Sequence, residues 1–266
     1  MTPHRARDTA LITGASSGIG EALAACFAQG GHDLVLVARS EDKLRVLAAK
    51  LGHDYKIKAV VLPADLAQPG AARKLLAACR RRKLQIDVLV NNAGVLELAA
   101  FVKISPERHQ HLIDLNVSGL TAMLAHFVPP MVARKHGRVL NVASSAAFQP
   151  IPGLATYAAT KAYVLSLSES LSEELKGSHV TVTALCPGVT ATGMLTRAQD
   201  ANAGLKLPRF LIGDVESVAA QGYDACMRGE AIKVPGVFNL AGSVAARATP
   251  KWLMRRISGA IVRKTL

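Results

Sequence analysis

The chain has 266 residues, half of them hydrophobic and 4% aromatic, with 32 Lys and Arg against 19 Asp and Glu and a formal net charge of +13. That length fits one core and one domain over 1–266, and no repeat or low-complexity linker divides it. The charge favours polyanionic partners such as phosphorylated cofactors or anionic surfaces, but with no recognition motif or aromatic stacking platform it does not make a nucleic-acid reader.

From the amino end, residues 1–8 are polar and run straight into the apolar segment 10–12, unlike a secretory signal. No stretch reaches the ~18 uninterrupted apolar residues of a membrane-spanning helix, so a cytoplasmic protein is expected. Short apolar runs at 10–13, 33–38, 58–63, 87–91, 137–142 and 180–185 read as strands. Helical stretches at 20–29, 41–51, 69–82, 106–133 and 157–176 lie between them. This succession predicts an α/β fold, a doubly wound parallel sheet with helices on both faces, whose ligands bind beyond the carboxyl ends of the strands. Past Pro187 the pattern weakens, and 193–213 mixes glycine, proline and apolar residues like a flap over a substrate.

The first expected strand empties into Gly14-Ala15-Ser16-Ser17-Gly18-Ile19-Gly20, and a helix follows at once. Three glycines let the backbone turn sharply and approach a pyrophosphate, whose charge would rest on the helix N-terminus. The second strand ends in Ala38-Arg39, where an acidic residue would bind the ribose hydroxyls of NAD. Ala38 offers no carboxylate to repel a 2′-phosphate and Arg39 offers a planar cation to hold one, so NADP(H) is preferred.

Tyr157 and Lys161 stand four apart and share a helix face. A phenol with an ordinary pKa of about 10 is a weak acid near neutrality, and a neighbouring cation is expected to lower it. Ser144 and Ser145 follow the expected strand 137–142, where a hydroxyl would sit at the active edge and donate to a carbonyl oxygen.

Together these motifs resemble the short-chain dehydrogenase/reductase family, from about Thr9 to Met194. Asn91-Asn92-Ala93-Gly94 after the fourth strand, Asp65 after the third, Asn116 in the long helix, and Pro187-Gly188 followed by Thr192 add to the likeness. The resemblance implies a Rossmann-like fold and selects Ser144 over Ser145, giving a catalytic set of Ser144, Asn116, Tyr157 and Lys161. It also implies that Asp65 meets the adenine, that Asn92 adjoins the adenine ribose and that Thr192 touches the nicotinamide carboxamide, with Leu66, Ala93, Gly94, Pro187 and Gly188 also on the cofactor. Tyr157 and Lys161 are expected on the cofactor as well. Many NADP-specific members carry a basic residue where this chain has Ser17, which leaves NAD(H) open as a second cofactor.

The implied reaction interconverts a carbonyl and an alcohol by hydride transfer; the alternative is a non-catalytic NADP(H)-binding redox sensor. Val95, Leu96, Phe148 and Ile151 are expected at a hydrophobic substrate mouth. The resemblance further implies a homodimer or homotetramer. The basic, amphipathic stretch 250–266, with Leu253, Ile257 and Ile261 on one side, is expected to pack on protein, with peripheral membrane contact second. The dispersed Cys26, Cys79, Cys186 and Cys226 suit core packing in a reducing compartment, and His109 and His111 are poorly spaced for ligation, so no metal is expected.

Overall fold

The computed structural model describes residues 7–193, 212–249 and 256. Seven parallel strands form one sheet: β1 (Thr9–Thr13), β2 (Asp33–Val37), β3 (Ala59–Val61), β4 (Val88–Asn91), β5 (Gly137–Val142), β6 (Val180–Leu185) and β7 (Ile232–Lys233). Their order is β3-β2-β1-β4-β5-β6-β7. The chain starts mid-sheet, winds to one edge, returns beside β1 at β4 and winds to the other. This is the expected doubly wound α/β fold. The order reverses between β1 and β4, where such sheets open a crevice above their carboxyl ends.

The strands are apolar because helices cover both faces, as a parallel sheet requires. Alternate residues point to opposite sides. Leu11, Val35, Leu89, Val139 and Val182 pack with Leu75 of α3 (Ala71–Arg81), Phe127 and Met131 of α5 (Leu120–Arg134) and Val164 of α6 (Ala155–Glu174). Ile12, Leu34, Leu36, Val90 and Leu140 pack with Phe27 of α1 (Gly18–Gln29), Leu44 of α2 (Glu41–Tyr55) and Cys226 of α7 (Val215–Arg228). Each such leucine or isoleucine is fully buried and contributes about 2–3 kcal/mol of hydrophobic stabilisation.

The stretch read as one helix over 106–133 is α4 (Pro106–Ile113), a π turn (Asp114–Gly119) and α5. An 18-residue window within its 29 residues has a mean hydropathy of 1.3, long and apolar enough to cross a bilayer by those measures, although polar residues interrupt the run. Its buried residues Leu112, Met123, Phe127 and Met131 line the protein core. Gly119 is needed within the π turn because a Cβ there would stand 2.5 Å from the Leu66 carbonyl oxygen.

Beyond Pro187 more order is present than the sequence suggests: α7, β7 and α8 (Val237–Ala248) follow. Asp214 caps α7, accepting from the Ser217 amide at 2.8 Å. The flap expected over 193–213 and the basic segment 250–266 lie outside the described residues, save for 193, 212, 213 and Arg256.

Candidate active site

The turn between β1 and α1 is built on positive backbone angles that favour glycine, φ 66° at Gly14 and 59° at Gly18. It also has no room for side chains. A Cβ at Gly14 would stand 2.8 Å from Asn92 Nδ2, and one at Gly20 would stand 2.3 Å from the same atom. Ser17 at the N-cap of α1 makes no side-chain bond to the helix, so it leaves the first-turn amides to an anion, flanked by Ser16 and Ile19.

Thr13 ties this turn to the end of β4. Its hydroxyl donates to the Val90 carbonyl at 3.1 Å and accepts from the amides of Asn92 and Ala93 at 2.9 and 3.0 Å. Asn92 returns the tie, its Nδ2 donating to the carbonyls of Thr13 and Gly14 at 2.9 and 3.3 Å. The sequence reading had singled out Asn92 but not Thr13, because a strand-end threonine carries no motif.

Around the rim of the crevice, Arg39 is exposed at the end of β2, with no ion pair among the described residues. Asp65 is half-buried after β3 and accepts from the Ala67 amide at 3.1 Å, and Leu66 beside it is buried. Across the crevice, the Pro187 carbonyl accepts from the Ser145 amide at 2.8 Å. A Cβ on Gly18 would stand 3.1 Å from Thr192 Cγ2, so the loop after β6 reaches the glycine turn. Gly188 has Asn239 of α8 pressed against it, 2.4 Å from where a Cβ would lie.

The tyrosine and its neighbours meet at the carboxyl end of β5. Ser144 follows β5 and accepts from the Ala146 amide at 3.1 Å, and its hydroxyl opposes the rise that burial imposes on the pKa of the neighbouring Tyr157 phenol. Burial is the larger effect, so the phenol is raised. The expected lowering by Lys161 is not found. Its Nζ is 5.8 Å from the ring centroid and donates to the Val142 carbonyl at 2.8 Å. Lys161 is itself buried, and desolvation lowers its pKa from 10.5 to about 8, with Cys186 acting the other way.

Asn116 sits in the π turn, a helix distortion often found at functional sites. Its Oδ1 accepts from the Val95 amide at 3.0 Å, and its Nδ2 donates to the Val95 carbonyl at 3.0 Å and to Thr160 Oγ1 at 3.1 Å. Thr160 Oγ1 donates in turn to the Tyr157 carbonyl at 2.7 Å. Gly94 lies between the two groups: a Cβ there would stand 3.2 Å from Asn116 Oδ1 and 3.5 Å from Lys161 Nζ. Thr160 was missed in the sequence because its partner lies 44 residues away.

Apolar side chains complete the site. Tyr157, Leu112, Ala146 and Ala158 form a cluster against which Val95, Leu96, Ile151 and Leu154 pack, while Phe148 packs toward the main core. A dinucleotide fits this arrangement: the turn is bare of side chains where a pyrophosphate would approach, its helix amides lack a cap, and a cation stands at the rim. At the other, amino end of the sheet, Asp8, Asp87 and His136 bring ligand atoms within 4.8 Å of one another, a group not anticipated from sequence. The Asp87 carboxylate there already accepts from the Thr9 amide at 3.0 Å and Gln85 at 2.8 Å, with Arg134 at 3.7 Å.

The family model for short chain dehydrogenases matches residues 8–203. Oxidoreductase UcpA of Escherichia coli K12 is 36% identical over 187 residues, 70% of each chain. Among solved structures, a short-chain dehydrogenase from Sphingobium yanoikuyae in complex with NADPH is 36% identical, with a TM-score of 0.81 over 93% of this chain and 95% of that one. A bulky-bulky ketone specific alcohol dehydrogenase from Comamonas testosteroni is 32% identical, with a TM-score of 0.76 over 90% and 92%.

Proposed function

The chain belongs to the short-chain dehydrogenase family of oxidoreductases, and from that premise we propose that it interconverts a hydrophobic ketone or aldehyde and its alcohol, using NADP(H). One observation carries the reading: the buried Tyr157 phenol beside Ser144, with Lys161 one helical turn on and the glycine turn across the crevice.

In the reductive direction Ser144 and Tyr157 bind the carbonyl oxygen and orient the carbon. The dinucleotide, when bound, supplies hydride to that carbon. Tyr157 gives its proton to the developing alkoxide; in oxidation it takes the proton back. A phenol raised by burial stays protonated through neutrality, which suits it to the reductive role. Such acid catalysis typically contributes about 10²- to 10⁴-fold. Lys161 holds positive charge beneath the site, where a developing anion is stabilised, and binds the nicotinamide ribose. Asn116 fixes Val95 on one side and the Tyr157 turn on the other, and beside Gly94 it holds a water that connects Lys161 with solvent.

Gly14, Ser16, Ser17, Gly18, Ile19 and Gly20 receive the pyrophosphate. Asp65 and Leu66 receive the adenine, Asn92, Ala93 and Gly94 line its ribose, and Pro187, Gly188 and Thr192 face the nicotinamide. Ala38 and Arg39 support a preference for NADP(H), and the neighbour from Sphingobium yanoikuyae was solved with NADPH. Ser17, in place of a basic residue, leaves NAD(H) as a weaker substitute. Val95, Leu96 and Ile151 beside Tyr157 support an apolar substrate. Self-assembly through the long helical stretch from α4 to α5 and through α6 is part of the same reading, with Ile113 of α4 and Tyr163 of α6 exposed at 38% and 39%.

The test is NADPH oxidation followed at 340 nm with a panel of ketones and aldehydes of graded size, repeated with NADH. Turnover favouring apolar carbonyls and NADPH supports the proposal. Tight NADPH binding with no turnover on any carbonyl or alcohol overturns it in favour of a redox-sensing module.

A further inference from the structure

The loop after β4 carries Val95 and Leu96, one wall of the apolar mouth, and it is tied to α4 and α6 at three places. Glu97 pairs with Arg108 at 3.1 Å, and the Ala99 amide donates to the Gly153 carbonyl at 3.0 Å. The third tie is His109 of α4, whose ring stacks on Phe101 with centroids 4.3 Å apart and 28° between planes. Its Nε2 stands 3.1 Å from the Phe101 carbonyl oxygen, and its Nδ1 stands 2.8 Å from Thr156 Oγ1.

The chemistry fixes the tautomer of the neutral ring. A carbonyl oxygen only accepts, so Nε2 carries the hydrogen and Nδ1 accepts from the Thr156 hydroxyl. Imidazole is the side chain that serves both partners at once here, since asparagine reaches only as far as Nδ1 and glutamine replaces only Nε2. Thr156 immediately precedes Tyr157. The bridge therefore spans from the loop of the mouth to the residue beside the phenol.

We infer that His109 is a positioning residue that clamps the loop 95–104 to the start of α6 and so sets the shape of the carbonyl-binding mouth. The inference rests on the carbonyl-reductase reading above. Among the described residues His109 bonds Phe101 and Thr156 and not the phenol, so it acts on substrate fit and leaves proton delivery to Tyr157.

The experiment compares His109→Gln, Thr156→Val and the double variant with the unmodified protein. With NADPH saturating and a bulky apolar ketone varied, each single variant should raise KM about five- to tenfold while kcat changes less than about twofold, and the double variant should be no worse than either single one. NADPH affinity, read by cofactor fluorescence, should be unchanged. Hydrogen exchange at the amides of Ala99, Lys103 and Ile104 should quicken in all three variants, a readout that needs no turnover and so separates this inference from the proposed reaction. Unchanged KM and exchange, or KM effects that multiply in the double variant, overturn the clamp. A fall in kcat at constant KM would also overturn it, placing His109 in proton transfer instead.

Discussion

Lys161 Nζ donates to the Val142 carbonyl at 2.8 Å, so the last residue of β5 holds a buried ammonium beneath the site. Two opposed consequences follow, one for activity and one for stability.

For activity, the Lys161 pKa is lowered from 10.5 to about 8, so the cation is present below about 8 and is lost above it. The kcat/KM for carbonyl reduction should be level through neutrality and fall on a limb near pH 8, approaching about tenfold per unit. A profile level to pH 10 would contradict this. For stability, a lysine whose folded pKa lies below its unfolded value destabilises the fold wherever the unfolded chain is charged. That cost is full below about 8 and vanishes as pH rises through 10.5. Lys161→Met should therefore abolish most turnover yet gain about 1–3 kcal/mol at pH 7, with the Tm difference from the unmodified protein closing toward pH 10.5. An unchanged or lower Tm at pH 7 would refute it.

Cofactor choice tests the rim of the crevice. Replacing Ala38 with Asp and Arg39 with Ile installs a carboxylate and removes the exposed cation. The ratio of kcat/KM for NADPH over NADH should fall about 10- to 100-fold, the worth of one or two charge-assisted hydrogen bonds. A ratio that does not move would remove these positions from cofactor selection.

Acid should weaken the fold through His32. Its ring is buried between Phe27 and Tyr223, edge-on to both at 5.2 and 6.1 Å, and burial lowers its pKa below the ordinary 6.5. The unfolded chain then binds the proton more readily than the folded one, so stability is full above about 6.5 and declines as pH falls below it. The Tm of His32→Gln should depend less on pH between about 7 and 5 than that of the unmodified protein. Parallel pH curves would count against the assignment.

Backbone strain offers a change independent of chemistry. Lys135 ends α5 in the left-handed region at φ 53°, where a glycine is at ease. Lys135→Gly should gain about 0.5–1 kcal/mol in denaturant unfolding with turnover unaltered. A loss of stability would show that the lysine side chain matters more than its backbone.

How much of this was legible follows from where each signal resides. β1, β2, β4, β5 and β6 were readable because strands buried on both faces are runs of aliphatic residues. The pair Tyr157 and Lys161 was readable because helical spacing alone brings them together. β7 has two residues, too few to form a pattern, and α8 turns Val237, Leu240 and Val244 outward, so these three mark no buried face. Thr13, Thr160 and His109 gain their roles from partners 77 to 80, 44 and 47 residues distant, respectively. The effect of Lys161 on the phenol was misjudged for a related reason: spacing shows proximity, whereas burial, which sequence spacing does not report, sets the direction of the shift.

The most direct test of the account is single-turnover reduction of a ketone by Tyr157→Phe loaded with NADPH. Phenylalanine preserves the buried ring and removes the hydroxyl alone, so the rate should fall about 10²- to 10⁴-fold while NADPH affinity holds. A variant that binds NADPH and reduces the ketone at close to the original rate would contradict the assignment of the proton to residue 157.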